Sequence, residues 1–127
     1  MSPKILSVDD SGLVRKAVSR VFNRFECTMI EAENGEVGLQ QTVAHRPDLI
    51  ILDYNMPVMD GVEMLKRLRA DESLKKTKVI MLTANSNPET IAAVARLGVR
   101  DYITKPFVDE QLLAKAARLV PLVPKPT

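Results

Sequence analysis

Cysteine and histidine each occur once in this chain, at Cys27 and His45, and aromatic residues make up only 4% of it. A single thiol forms no internal disulfide, and Cys27, at the start of an apolar segment, suits a small buried residue rather than a reactive one. His45 lies near a predicted helix end just before Pro47, where capping or solvent exposure is the expected role. So few aromatics build no stacking platform for single-stranded nucleic acid. No apolar run approaches the ~20 residues of a membrane-spanning helix. Met1-Ser2-Pro3-Lys4 leads straight into a strand pattern rather than the apolar segment of a signal peptide. The expectation is a cytoplasmic protein with no membrane contact.

A charge excess is also missing. Eighteen Lys and Arg against sixteen Asp and Glu leave a net +2, too little to argue for nucleic acid unless the basic residues cluster. The clusters are modest: Arg15, Lys16, Arg20 and Arg24 on the first predicted helix, and Lys75, Lys76 and Lys78 in a predicted loop. A solvated face is the default for the first, and a docking surface for an acidic or phosphorylated partner comes second.

What the chain does have is a regular alternation. At 127 residues it is one domain that buries about two-thirds of its unfolded surface. Short apolar runs at Ile5–Val8, Thr28–Ile30, Leu49–Asp53, Val79–Leu82 and Val99–Ile103 are each followed by apolar residues at helical spacing. The helix starting at Asn87-Pro88-Glu89 has a capping side chain, a proline at the first position and an acid in the first turn, and Gly98 suits its end. Five βα units predict an α/β fold, a doubly wound, flavodoxin-like parallel sheet in strand order 2-1-3-4-5 with helices on both faces. The domain spans residues 1–120, and the proline-rich tail 121–127 is expected to be loosely ordered.

The polar residues fall at one rim of that sheet. Asp9 and Asp10 follow strand one, Asp53 ends the fully apolar strand three, Thr83 follows strand four and Lys105 follows strand five. Taken singly each has a plain explanation: Asp10 or Ser11 caps a helix, Thr83 is a strand-end hydroxyl, Lys105 is surface charge. Together they put three carboxylates close enough to require protons or a cation. Oxygen-only ligands on an open site suit Mg²⁺, and the lack of His or Cys at these strand ends excludes zinc. The set matches phosphoryl transfer. Asp53 is the nucleophile, Mg²⁺ is held by Asp10, Asp53 and, through water, Asp9, and Lys105 and Thr83 meet the remaining phosphoryl oxygens.

In the stretches Ser7-Val8-Asp9-Asp10-Ser11, Glu31-Ala32-Glu33-Asn34-Gly35, Leu52-Asp53-Tyr54-Asn55-Met56-Pro57 with Asp60-Gly61, Leu82-Thr83-Ala84 and Asp101-Tyr102-Ile103-Thr104-Lys105-Pro106-Phe107, the chain resembles a response-regulator receiver domain of the CheY-like, stand-alone kind. The resemblance covers Lys4 to Val120. It implies that Asp53 accepts phosphate from the phosphohistidine of a histidine kinase or histidine phosphotransfer protein, that the Asn55 carbonyl joins the metal shell, and that Lys105-Pro106 is cis. It implies a switch in which Thr83 turns toward the phosphoryl group and the Tyr102 ring follows. That switch alters the helix 4, strand 5 and helix 5 face offered to a downstream effector. Residues Asn55, Ala84 and Asn85 would tune the phosphoryl lifetime.

On this reading the protein is not an enzyme but a phosphoacceptor that assists its own transfer and autodephosphorylation, a monomer or weak dimer that binds no nucleic acid. Two other classes are weighed against it. A phosphorylation-independent adaptor of the same fold has no need of Asp10, Asp53, Thr83 and Lys105 together. A haloacid-dehalogenase-type hydrolase places a second aspartate two residues after the nucleophile, and Asn55 there cannot shuttle a proton.

Overall fold

The computed structural model describes residues 2–84 and 87–126, so Asn85 lies outside the described residues. Five strands, β1 (Lys4–Val8), β2 (Thr28–Ala32), β3 (Leu49–Asp53), β4 (Lys78–Thr83) and β5 (Asp101–Thr104), alternate with five helices. The helices are α1 (Gly12–Phe22), α2 (Gly35–His45), α3 (Gly61–Ala70), α4 (Pro88–Arg96) and α5 (Asp109–Leu119). The sheet is parallel throughout, in the expected order β2-β1-β3-β4-β5.

Strand alternation divides the core into two layers. Leu6, Ile50, Leu52 and Met81 pack with Met64, Leu65 and Leu68 of α3 and Val94 of α4. Ile5, Leu49, Ile51, Ile80 and Leu82 point the other way, onto Val18 and Phe22 of α1 and Leu112 and Ala116 of α5. Every residue of β3 is buried, the behaviour of a central parallel strand covered on both faces. Burying side chains of this size contributes about 1.5–3 kcal/mol each, and that apolar driving force fixes which way each strand faces.

Four helices carry side-chain caps at the end where the strands finish. Ser11, Asn34, Asp60 and Asn87 accept hydrogen bonds from the backbone N–H of Val14, Val37, Glu63 and Thr90 at 3.3, 2.9, 2.9 and 2.8 Å. Ser11 rather than Asp10 therefore caps α1, which leaves Asp10 exposed and uncommitted to the helix.

Two expectations differ from the structure. Val99 is not in a strand: its N–H donates to Val94 O and that of Gly98 donates to Ala95 O, at 3.1 and 3.0 Å. Gly98 has φ +81°, so α4 closes with a left-handed turn that consumes the Val99 donor before β5 begins at Asp101. The tail is not loose. Glu26 N–H donates to Val123 O at 2.7 Å and Lys125 N–H to Arg24 O at 2.8 Å, with Phe25 and Pro124 in an antiparallel bridge. Proline lacks a donor of its own, and here the residues beside Pro124 supply the main-chain bonds.

Candidate functional site

The register of the sheet brings the acids together. Val8 pairs with Leu52 across β1 and β3, so the next residues, Asp9 and Asp53, emerge side by side. One carboxylate oxygen each from Asp9, Asp10 and Asp53 can lie within 4.8 Å of one another. Asp9 and Asp53 are buried, with 1% and 4% exposure, whereas Asp10 faces solvent.

Lys105 completes the cluster. Its Nζ stands 3.0 Å from Asp9 Oδ2 and 2.9 Å from Asp53 Oδ1. The backbone delivers it there: Lys105 N–H donates to Thr83 O at 2.8 Å, continuing the β4–β5 ladder past its last paired residues. The following Lys105–Pro106 bond is cis, as the resemblance implies. Burial pushes the Asp53 carboxyl above the usual range; the Lys105 hydrogen bond opposes this, and the charges of Asp9 and Asp10 add to it. For Lys105, burial pulls the other way, but its bonds to Asp53 and Asp9 outweigh it and hold the ammonium above its ordinary value. The two directions agree. The cation is well supplied with acids, while each acid shares one cation.

The loop after Asp53 is pressed onto its backbone. A Cβ on Gly61 would sit 2.2 Å from the Asp53 carbonyl oxygen, and Gly61 N–H donates to Tyr54 O at 3.1 Å. Met59 O accepts from Gly35 N–H at 2.9 Å, tying the loop to the start of α2. Between these anchors Val58 adopts φ 69°, a left-handed conformation costly for a β-branched residue. Asn55 is exposed on this loop.

Thr83 is buried at the end of β4. Met81 pairs with Tyr102 and Thr83 with Thr104, so Thr83 and Tyr102 share a face of the sheet, where the Tyr102 ring packs half-buried against the Met81 and Val94 layer. The structure thus gathers Asp9, Asp10, Asp53 and Lys105, and sets Thr83 beside them on the neighbouring strand.

Sequence reasoning missed Arg15. By sequence it belongs to the solvated basic face of α1, yet its Nη1 donates to Asp9 O at 2.6 Å and its Nε to Glu31 Oε1 at 2.9 Å. The signal was its position one helical turn from Ser11, which directs the side chain back over the rim. Cys27 is partly covered, its Sγ donating to Phe22 O at 3.4 Å, and burial raises its thiol pKa, so nothing activates it.

The donor set fits a hard divalent cation: three carboxylates, all oxygen, with one facing solvent. Both oxygens of Asp9 are already engaged, Oδ2 by Lys105 and Oδ1 by Ser11 N–H at 2.9 Å. That suits an outer role for Asp9, acting through water.

The model of the response regulator receiver domain matches residues 5–117. The chemotaxis protein CheY-3 of Vibrio cholerae is 38% identical over 118 residues, which cover 91% of this chain and 90% of that protein. The CheY chemotaxis protein of Pseudomonas aeruginosa is 34% identical over 117 residues, covering 91% and 94%. The crystallised CheY4 of Vibrio cholerae superposes with a TM-score of 0.88 at 34% identity, covering 94% of this chain and all of that one. With a family match over residues 5–117, relatives of this identity across nine-tenths of the chain and the shared strand order, the chain belongs to the response regulator receiver domains of two-component signalling.

Proposed function

We propose that Asp53 is the phosphoacceptor of a two-component relay and that its modification switches partner binding. The observation that carries this is the placement of Lys105 Nζ within 3.0 Å of both Asp9 and Asp53, beside a third carboxylate. A carboxylate oxygen of Asp53 attacks the phosphorus of a phosphohistidine; the new O–P bond forms as the P–N bond breaks, and the imidazole leaves with the electron pair. Lys105 then moves from neutralising acids to neutralising phosphoryl oxygens. Asp10, Asp53 and the Asn55 carbonyl would hold Mg²⁺, with Asp9 acting through water. When bound, Mg²⁺ neutralises charge on the transferring group. The chain's own contribution is position and charge, and it turns over no separate substrate; hydrolysis of its own acyl phosphate resets it.

The donor is a histidine kinase or histidine phosphotransfer protein. Beside Lys105 a hollow of about 500 Å³ is lined by Leu13, Val14, Ala17, Pro106 and Phe107, with Arg20 and Asp109 at its edge, and Leu13 is 80% exposed, a largely apolar seat beside the lysine that meets Asp53. On the output side, Thr83 turns to the phosphoryl group and Tyr102, on the same sheet face, follows, changing the α4–β5–α5 surface read by an effector. The phosphate must favour that arrangement by ~5.5 kcal/mol to invert a 1:99 population.

The adaptor reading leaves the convergence of Asp9, Asp53 and Lys105 without a use, and Asn55 removes the acid/base group a hydrolase of the dehalogenase type needs. Incubation with Mg²⁺ and acetyl phosphate, followed by mass spectrometry, tests the proposal: one phosphoryl adduct is expected, absent in Asp53→Ala. A folded wild-type chain that takes up no phosphoryl group would overturn it.

A further inference from the structure

At the opposite end of the sheet, where the strands begin, a cleft of about 580 Å³ opens between the α3–β4 connection, the end of α4 and the start of β5. Arg69, Lys75, Lys76, Lys78, Arg96 and Arg100 line it, against one acid, Asp101. The whole chain carries only +2, so this one hollow holds more than the net positive charge of the molecule and the remainder is net acidic.

Local structure explains part of that concentration. Arg69 and Arg96 occupy the last turns of α3 and α4, where cations oppose the helix dipole. Lys75 pairs with Glu72 at 2.8 Å. Lys78 Nζ donates to Leu119 O at 2.6 Å, at the end of α5, which leaves Lys76 and Arg100 without a local role. The side chain of Arg69 donates to the carbonyls of Leu97, Lys75 and Thr77 at 2.8, 2.9 and 2.9 Å, and burial lowers its pKa with no acid nearby to restore it. Asp101 is already held by Arg118 at 2.7 Å and Lys115 at 3.8 Å, neither of which lines the cleft. Among the described residues no carboxylate pairs with Arg69, Lys76, Lys78, Arg96 or Arg100. Cations crowded on a fixed backbone repel one another, and an anion with several charged oxygens relieves the repulsion at all of them.

A second hollow of about 530 Å³ adjoins the first, sharing Lys76, Thr77, Lys78 and Leu119, and its far side is lined by Pro3, Pro47 and Pro121 over the buried Leu74 and Val120, with Arg46 and Asp48 at its edge. The pair is therefore cationic at one end and more apolar at the other. Each hollow has the size of a small-molecule site. A nucleic acid or an acidic peptide would call for a long basic stripe on an open face, whereas these cations converge on one concavity.

We propose that this double cleft binds a nucleoside polyphosphate, its phosphates on the cationic half and its nucleoside against the apolar half. Arginine forks and lysine ammonium groups are the chemistry that takes clustered phosphate oxygens. Binding there requires no group of the Asp53 rim, so it stands or falls separately from phosphoryl transfer.

Isothermal titration of the full chain with ATP and with inorganic tripolyphosphate, in EDTA at low salt, tests the assignment. The side chains of Lys76 and Arg100 take part in none of the described hydrogen bonds or ion pairs, so the Lys76→Ala/Arg100→Ala variant retains the fold, checked by its melting temperature. Expected results are binding of both probes, ATP severalfold tighter, a loss of at least ~10-fold for the double variant, and unchanged affinity in Asp53→Asn. Absence of heat with ATP at millimolar concentration, or equal affinity in the double variant, would overturn the site. ATP binding no tighter than tripolyphosphate would overturn the nucleoside half. A duplex oligonucleotide or a glutamate-rich peptide binding more tightly than ATP through the same two residues would overturn the ligand class.

Discussion

Lys105 and Asp9, 96 positions apart in the chain, meet at 3.0 Å across the rim of the sheet, with the Asp9 carboxylate almost wholly withdrawn from solvent. A buried acid that shares one ammonium with a second buried acid depends on that ammonium for its charged state to be tolerable.

Lys105→Met tests that dependence. Removing the cation leaves Asp9 and Asp53 facing each other with Asp10 nearby, and charge-assisted hydrogen bonds of this kind are worth about 1.5–3 kcal/mol each. The metal-free variant is expected to lose roughly 2 kcal/mol of stability in urea denaturation, and millimolar Mg²⁺ is expected to recover more stability in the variant than in wild type, because a divalent ion replaces the missing charge. An unchanged denaturation midpoint without metal would show that the ion pair is not what makes these acids compatible.

The close approach of Gly61 to Asp53 gives a second test. A Cβ 2.2 Å from a carbonyl oxygen must displace backbone, and the backbone displaced is that of the phosphoacceptor. Gly61→Ala is expected to cost about 1–3 kcal/mol, as overpacking does, and to slow labelling by acetyl phosphate. Gly98→Ala is the control: its added Cβ makes only an ordinary van der Waals contact, with Arg69 Nε at 3.6 Å, but its φ of +81° disfavours a side chain. It should cost on the order of 1 kcal/mol and leave labelling unchanged. Equal labelling rates in both variants would separate the loop's packing from the reaction.

The strand order and the rim were legible because both rest on patterns a single sequence carries. An unbroken apolar run ending in an acid, as at Leu49–Asp53, has only one low-energy place in a two-layered sheet. What escaped was set by backbone hydrogen bonds and long side chains. Val99 has the composition of a strand residue, but its donor is taken by the helix before it. Arg15 shares charge and helix with Lys16 and Arg20, and only the fold shows that it reaches Asp9. The tail's three prolines suggested looseness, since proline composition says nothing of the partners its neighbours find.

That tail supplies the third prediction. Beyond Pro121, Leu122 packs against the α1–α5 layer and two main-chain hydrogen bonds join residues 123 and 125 to the α1–β2 connection. Truncation after Pro121 removes both bonds and the half-buried Leu122 side chain, an expected loss of about 2–3 kcal/mol. Hydrogen exchange gives the matching local reading: the Glu26 amide should be protected in the full chain and exchange rapidly in the truncated one. Fast exchange of Glu26 in the intact protein would mean that the pairing contributes nothing.

Acid should loosen the turn between α3 and β4 before it unfolds the rest. Asp71 Oδ1 accepts from both the hydroxyl and the N–H of Ser73, at 2.7 and 2.8 Å, and these bonds, with the charge of Arg46, hold its carboxyl below the ordinary value. A depressed native pKa means that the unfolded chain binds the proton more readily, so the stabilisation is present above the unfolded carboxylate value, near 3.9, and is lost as pH falls through the lower native one. The carboxylate is fully exposed, so the effect is local and weakened by salt. In an NMR titration the Asp71 carboxyl should titrate below a model aspartate and the Ser73 amide shift should follow the same curve, with Asp71→Asn abolishing both. A Ser73 amide that follows no titration, or an Asp71 midpoint at or above that of an unperturbed aspartate, would show that the turn is held by its backbone alone.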